Sequence, residues 1–260
     1  MLIPVSALSS WTYCPMEFYN TYVLKIKKIP EDIMIMGLIK HKLHENIAKQ
    51  EQKIITSLKA ENAQETLQNT YLNQLKTILV EHTNALRAAK IPIDTAFQKT
   101  IPVIKFEVED KITTILPLLK KGITGEQLWQ TITPKLKTEY PIQSEKLCLR
   151  GRIDRLECHE NKLVPVELKS GKPPQEGAWP GHKIQATAYA LMLEDKFNTT
   201  VPESAIHYID QNARRILTIN PFMKEEVIET TAKIKGCLNT KEKPKGCGKC
   251  PTCIEAHRNL

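Results

Sequence analysis

Residues 151–169 run Gly151-Arg-Ile-Asp-Arg-Leu-Glu-Cys-His-Glu-Asn-Lys-Leu-Val-Pro-Val-Glu-Leu-Lys169. On either side of Glu160-Asn161 apolar and polar residues alternate, the pattern of two half-buried strands. Asn tolerates the positive φ of a tight hairpin turn, so the turn falls at Glu160-Asn161. His159 then faces Lys162, and Asp154 faces Glu167. Directly opposed residues of an antiparallel pair hold their Cβ atoms roughly 4.5–5.5 Å apart. Two carboxylates at that separation repel unless a positive charge lies between them, and paired oxygen ligands suit Mg²⁺ or Mn²⁺. Lys169 is two residues past Glu167 and points to the same face. A lysine there can position a water or stabilise charge at phosphorus. The Leu168 side chain faces the other way, but its carbonyl can join the metal shell.

On its own, D-x12-E-x-K is short enough to be an ordinary charged surface hairpin. Two neighbours argue otherwise. Gly151 leads into Asp154 in a G-R-I-D block, and residues 181–195 read as a helix with Gln185 and Tyr189 at i, i+4 on one face. Ala186, Ala188 and Ala190 let that helix pack closely. Residues 204–210 and 214–219 read as a further hairpin, and 222–238 as a helix. From residue 138 onward the pattern is therefore strands with helices, and 144–157 alternates as one strand.

Upstream the chain reads as helical. Residues 5–24 carry Trp11, Tyr13, Phe18, Tyr19 and Tyr22, either a core-packing helix or a base-stacking surface. Residues 32–50 continue as helix. Residues 57–90 place Leu67, Tyr71, Leu75, Ile78 and Leu79 at helical spacing. Residues 91–135 contain several prolines and read as a mixed, mostly helical connection. The region 53–137 carries no chemical motif. It reads as a helical lobe inserted between N-terminal helices (1–52) and a core of strands and helices (138–236), with a cysteine-rich segment (237–260) at the end.

The bulk numbers bound the class. The chain has 260 residues, 41% hydrophobic and 25% charged, an ordinary globular balance. The net charge of +8 suits a polyanionic partner, because neutralised phosphates release counterions. No run of about 18 apolar residues predicts a membrane span. Met1–Val5 has neither the cationic region nor the apolar core of a secretory signal, so the expectation is a cytoplasmic protein without a membrane partner. No G-x4-G-K-[ST] loop predicts a motor.

The seven cysteines are Cys14, Cys148, Cys158, Cys237, Cys247, Cys250 and Cys253. An odd number in a chain read as cytoplasmic argues against a disulfide framework. The C-x-x-C-x-x-C spacing of the last three is a metal signal. Cys148 and Cys158 read as strand residues that pack as small apolar side chains.

The blocks G-R-I-D, V-E-L-K-S-G-K and Q-A-T-A-Y, in that order, resemble the RecB-like branch of the PD-(D/E)xK nuclease superfamily. Its first motif, G-x-x-x-H on an early helix, matches Gly37-Leu-Ile-Lys-His41, with His44 as the competing histidine. The segment S-S-W-T-Y-C14-P-M-E-F-Y is similar to the opening of the CRISPR-associated exonucleases of the Cas-four family. The fold so implied is α/β, a restriction-endonuclease-like mixed sheet flanked by helices, with a cysteine cluster joining the N- and C-terminal segments.

The resemblance implies a metal-dependent deoxyribonuclease acting on single-stranded DNA or single-stranded ends, in prespacer processing beside the CRISPR integrase. It implies His41, Asp154, Glu167 and the Leu168 carbonyl as ligands of Mg²⁺ or Mn²⁺. Lys169 would aid the attacking water, with Gln185 and Tyr189 positioning it or the DNA. Arg152 and Arg155 are candidate phosphate contacts, and as surface arginines they are equally candidates for plain solvation. Cys14, Cys247, Cys250 and Cys253 would hold an iron–sulfur cluster, [4Fe–4S] first, with [2Fe–2S] and zinc as alternatives. Here the spacing is C-x2-C-x2-C where the family has C-x2-C-x5-C, so Cys237 is an alternative to Cys253. A replication or recombination-repair nuclease of the same superfamily, and a non-catalytic DNA-binding adaptor with a structural metal, are the rival readings.

Overall fold

The computed structural model describes residues 1–26 and 32–258, with side chains through residue 254. The chain opens with β1 (Ile3–Pro4), α1 (Val5–Tyr13), α2 (Pro15–Phe18) and a π-helical turn (Tyr19–Val23). The continuous helix expected over 5–24 is thus interrupted at Cys14, whose backbone is extended at φ −166° and ψ 122°. The cause is Pro15, since a residue before proline is pushed out of the helical region.

Then come α3 (Asp32–Lys49), α4 (Glu51–Thr56), α5 (Ala63–Glu81), α6 (Thr83–Ala88), α7 (Ile93–Lys120) and α8 (Gly125–Thr131). Leu67, Tyr71, Leu75, Ile78 and Leu79 are all buried on α5, as their spacing predicts. The proline-rich stretch behaves differently. α7 runs unbroken through Pro102 and Pro117. Each proline removes a helix bond at a cost of about 3 kcal/mol. Burial of Ala96, Val103, Ile104, Val108, Ile115 and Leu119 outweighs that, at roughly 1.5–3 kcal/mol for each large side chain. These helices share one apolar core that also takes in Ile35, Ile39, Leu43 and Ile47 of α3.

The sheet comprises β1, β2 (Lys135–Ser144), β3 (Leu149–Cys158), β4 (Leu163–Lys169), β5 (Glu203–Tyr208) and β6 (Ala213–Thr218). β2 runs antiparallel along the whole of β3. On the other edge of β3, β1 pairs parallel at Leu149–Arg150 and β4 pairs antiparallel at Arg155–Cys158. β4 continues parallel to β5, and β5 antiparallel to β6. The expected hairpin register holds: Cys158 faces Leu163 and Arg155 faces Val166, and the turn closes with His159 N donating to Lys162 O at 2.9 Å. The strand expected over 144–157 is instead the end of β2, a turn, and β3. Cys148 therefore lies in the turn at φ +55°, not in a strand. Ser144 Oγ stabilises that turn by accepting from Leu147 N at 3.0 Å.

α9 (Pro180–Phe197) and α10 (Pro221–Thr240) follow the strands, and α11 (Pro251–Arg258) closes the chain. α9 lies against β4 and β5, with α1 and α10 packed beside it. Ile3, Val5, Leu8, Ile153, Ile184, Met192 and Ile234 belong to the core on that side. A smaller set, Val164, Val166, Leu168, Ala205 and Ile209, lines the opposite face. No helix among the described residues is long and apolar enough to cross a membrane.

Candidate active site and cysteine centre

The site forms where β3 and β4 separate. Their ladder stops at Arg155–Val166, one pair short of Asp154 and Glu167. The backbone N–H of Leu168, which has no ladder partner there on β3, donates to Asp154 Oδ2 at 2.8 Å. Lys169 Nζ donates to Glu167 Oε1 at 2.7 Å and to Gln185 Oε1 at 3.1 Å, and Gln185 Nε2 donates to the same Glu167 oxygen at 2.6 Å. The second oxygen, Glu167 Oε2, is buried and accepts no hydrogen bond. His41, one turn beyond Gly37 on α3, brings Nδ1 to 3.8 Å from Asp154 Oδ1. The structure thus gathers His41, Asp154, Glu167, Leu168, Lys169 and Gln185 in one place.

Two glycines explain how the elements come so close. A Cβ on Gly37 would stand 2.9 Å from Ser170 Oγ, so without one α3 presses against the end of β4 with the Ser170 side chain undisturbed. A Cβ on Gly151 would stand 2.7 Å from the Tyr189 ring. That space lets the Tyr189 hydroxyl donate to Arg152 O at 2.8 Å, tying α9 to β3.

The electrostatics follow from burial. Desolvation lifts Asp154 to about 6 against the pull of Lys169. Desolvation, then repulsion from Asp154, lifts Glu167 to about 7. Burial alone would lower Lys169, but Glu167 and Asp154 outweigh it and hold the ammonium above its usual range. Burial lowers His41, leaving a neutral imidazole able to ligate a metal. The oxygen-rich donors and the unpartnered Glu167 oxygen suit a hard divalent ion.

The structure separates residues the sequence left together. His44 is fully inside, 3.4 Å from Glu107 and packed edge-on to His207, away from the carboxylates. Burial and Arg155 press it down to about 3, so it is a neutral core histidine. Arg152 is 66% exposed and pairs with Glu139 at 3.2 Å. Arg155 is only 11% exposed, held against Glu157 at 3.5 Å and His207 at 3.4 Å. It is therefore not the surface arginine expected. Glu139 was not singled out by its sequence context. It occupies the β2 position opposite Asp154 at φ +50°, a conformation rare for a non-glycine residue, where the ladder is again interrupted.

The second centre is made of sulfur. Cys14, Cys247, Cys250 and Cys253 present atoms all within 4.8 Å of one another, a closeness that no other set of three or more metal-ligating side chains reaches among the described residues. Cys14 and Cys253 sulfurs are 3.5 Å apart, and those of Cys247 and Cys253 4.0 Å. Cys237 lies apart in α10, its thiol donating to Glu242 O. Backbone N–H bonds from Lys249 and Cys250 lower the Cys247 thiol to about 6, and desolvation pushes Cys250 up. Gly246, also unread in the sequence, permits the assembly: a Cβ there would stand 2.4 Å from Cys253 Sγ. Four thiols so placed suit a soft metal, and their spacing is near the roughly 3.8 Å edge of a tetrahedron with 2.3 Å metal–sulfur bonds. The same donor set serves iron–sulfur clusters.

A mixed sheet carrying D-x12-E-x-K at the mouth of a diverging hairpin, with a histidine and a Gln–Tyr helix closing over it, defines a nuclease-type fold. Residues 3–252 match the family model of the PD-(D/E)XK nuclease superfamily, and the chain belongs to that superfamily. It is 29% identical over 129 residues to a CRISPR-associated exonuclease Cas4/endonuclease Cas1 fusion of Myxococcus xanthus, covering 45% of this chain and 23% of that one. It is 28% identical over 124 residues to a CRISPR-associated exonuclease Cas4 of Rhodospirillum rubrum, covering 45% and 37%. The matched segments thus span less than half of either relative. In fold it is similar to the crystal structure of a Eubacterium rectale protein provisionally described as an exonuclease. That match has a TM-score of 0.50 and 11% identity, over 98% of this chain and 87% of that one.

Proposed function

We propose that this chain is an exonuclease that uses Mg²⁺ or Mn²⁺ to hydrolyse phosphodiester bonds at single-stranded DNA ends. The observation that carries this reading is the buried, unpartnered Glu167 Oε2 beside Asp154, His41 and Lys169. His41, Asp154, Glu167 and the Leu168 carbonyl are the ligands we assign. A divalent ion held by them would supply positive charge at the phosphoryl oxygens and acidity to a water. Lys169, kept protonated by its two carboxylate neighbours, presents an ammonium to the attacking water or to charge developing at phosphorus. Gln185 bridges Glu167 and Lys169 and fixes both rotamers. Tyr189 acts from behind, through its bond to the Arg152 carbonyl, as a positioning residue. Exposed Arg152 is the phosphate contact we retain, and Arg155 has a structural role.

Cys14, Cys247, Cys250 and Cys253 are the ligands we assign to an iron–sulfur cluster, [4Fe–4S] first, which pins the two chain ends together. A brown protein absorbing in the visible supports that assignment, and a colourless zinc protein replaces it. Residues 53–137 we take as an inserted lobe. The Cas4 names of the two relatives, one of them fused to endonuclease Cas1, support a role in CRISPR spacer acquisition, trimming prespacers with a Cas1-type integrase as partner.

The test is cleavage of end-labelled single-stranded DNA with Mn²⁺, Mg²⁺ or EDTA, comparing wild type with Asp154→Ala and Lys169→Ala. Metal-dependent cleavage lost in both variants supports the assignment. A folded, metal-replete wild type that cuts nothing overturns it in favour of a DNA-binding adaptor.

A further inference from the structure

Beside the cysteine centre lies a cleft of about 830 Å³, lined in part by Cys247 and Cys250. Ser170, the residue after Lys169, also lines it. Its other walls come from α1 and from the start of α9, so it reaches from the cysteine centre to the residue that follows Lys169. Two aromatic side chains stand open in it. Tyr13 at the end of α1 is 59% exposed, and Trp179 at the cap of α9 is 49% exposed. Each ring offers a large flat apolar face, and both line the same cleft. Trp179 is also held in place, its ring N–H donating to Lys172 O at 3.1 Å. Lys172 and Lys249 line the same cleft, and Lys249 ends a stretch, 241–249, with four lysines and one glutamate.

We infer that this cleft is the track of unpaired DNA, with Tyr13 and Trp179 as base-stacking platforms. The inference rests on the nuclease reading and names where its substrate lies. Duplex binding needs dense contacts to two phosphate backbones. A cleft with two lysines and two open aromatic rings is suited instead to stacked bases followed by a single backbone, which is how sequence-tolerant single-strand sites are made. The same walls give the cysteine centre a second consequence. Lys249 and Cys250 lie in the segment the sulfurs hold, so losing the metal there would loosen one side of the DNA track.

The experiment is fluorescence anisotropy of labelled single-stranded and blunt duplex oligonucleotides, without added divalent ion so that nothing is cut. Stacking at a base is lost by alanine substitution at a cost that corresponds to roughly a fivefold to hundredfold change in affinity. We expect Trp179→Ala and Tyr13→Ala each to weaken single-strand binding at least about fivefold and duplex binding less than about twofold. Trp179→Phe cannot make the bond to Lys172 O but keeps a ring, and should retain most of the affinity. In wild type, single-stranded DNA should also quench tryptophan emission, and in Trp179→Phe that quenching should disappear while binding persists. Wild-type affinity in Trp179→Ala, or an equal loss for both oligonucleotides, overturns the track while leaving the nuclease reading intact. A wild type that neither binds single strands nor cuts them removes both.

Discussion

The two centres of this molecule are built in opposite ways. The carboxylate site is assembled on regular structure: a hairpin and the faces of two helices, α3 and α9. The side chains we assign there are held by hydrogen bonds among themselves and to the Leu168 backbone, with two carboxylates buried side by side. The sulfur site joins residue 14 to residues 247–253. Besides the thiols, a bond between Thr252 and Glu17 and packing of Met16 and Tyr19 hold those two segments to each other, with Tyr19 Oη donating to Lys241 O close by. One site would use its metal for chemistry on a scaffold already formed. The other would use its metal as part of the scaffold.

That contrast can be broken in four places. The largest effect should come from Asp154→Asn, which keeps an acceptor for Leu168 N–H but loses the charge. We expect cleavage to fall at least about a hundredfold, with the melting temperature nearly unchanged. A large drop in melting temperature would mean that the carboxylate site is scaffold too. Next is Cys247→Ser, which should lose the bound metal, measured by elemental analysis, and lower the melting temperature by roughly 10 °C. Unchanged stability would reduce the sulfur centre to an ornament.

Third is the pH dependence of the metal-free protein. Glu167 is raised from 4.5 to about 7, so the folded chain keeps a proton the unfolded chain has released. The associated stability is complete below pH 4.5 and is lost as pH rises through about 7, a change of up to about 3 kcal/mol. Glu167→Gln should reduce this slope in thermal melts taken from pH 4 to 8, leaving the part due to Asp154, itself raised to about 6, and an unchanged slope in the variant would assign it elsewhere. The smallest effect belongs to Cys237→Ser, expected to leave metal content unaltered and melting within a couple of degrees. A loss of metal would return Cys237 to the ligand set.

The same contrast explains what the sequence made legible. The hairpin register was readable because a strand period of two allows no half-steps: one slip would have turned Glu167 and Lys169 to the wrong face. The cysteine set was readable as spacing and resemblance, but its geometry was not, because Gly246 matters only once Cys253 folds back against it. Helical periodicity left His41 and His44 equivalent, three residues apart on one helix. The choice came from long-range packing, with Glu107 and His207 enclosing His44. The mostly helical reading of 91–135 holds in α7 and α8, but the prolines hid that 93–120 is one unbroken helix, where burial outweighed local cost. They would have informed at Pro15, where helix breaking sets the position of Cys14. Trp179 sits in a loop with no period, so nothing local distinguished it. Cys148 was misread because an alternating pattern continued through a turn.

The most direct test of the central claim is a Mn²⁺ binding titration, followed by electron paramagnetic resonance, on wild type and on the double variant Asp154→Asn, Glu167→Gln. The account predicts that wild type takes up Mn²⁺ and that the double variant, folded and with its cysteine-bound metal intact, takes up none at comparable concentrations. Equal Mn²⁺ uptake by the two proteins would contradict it.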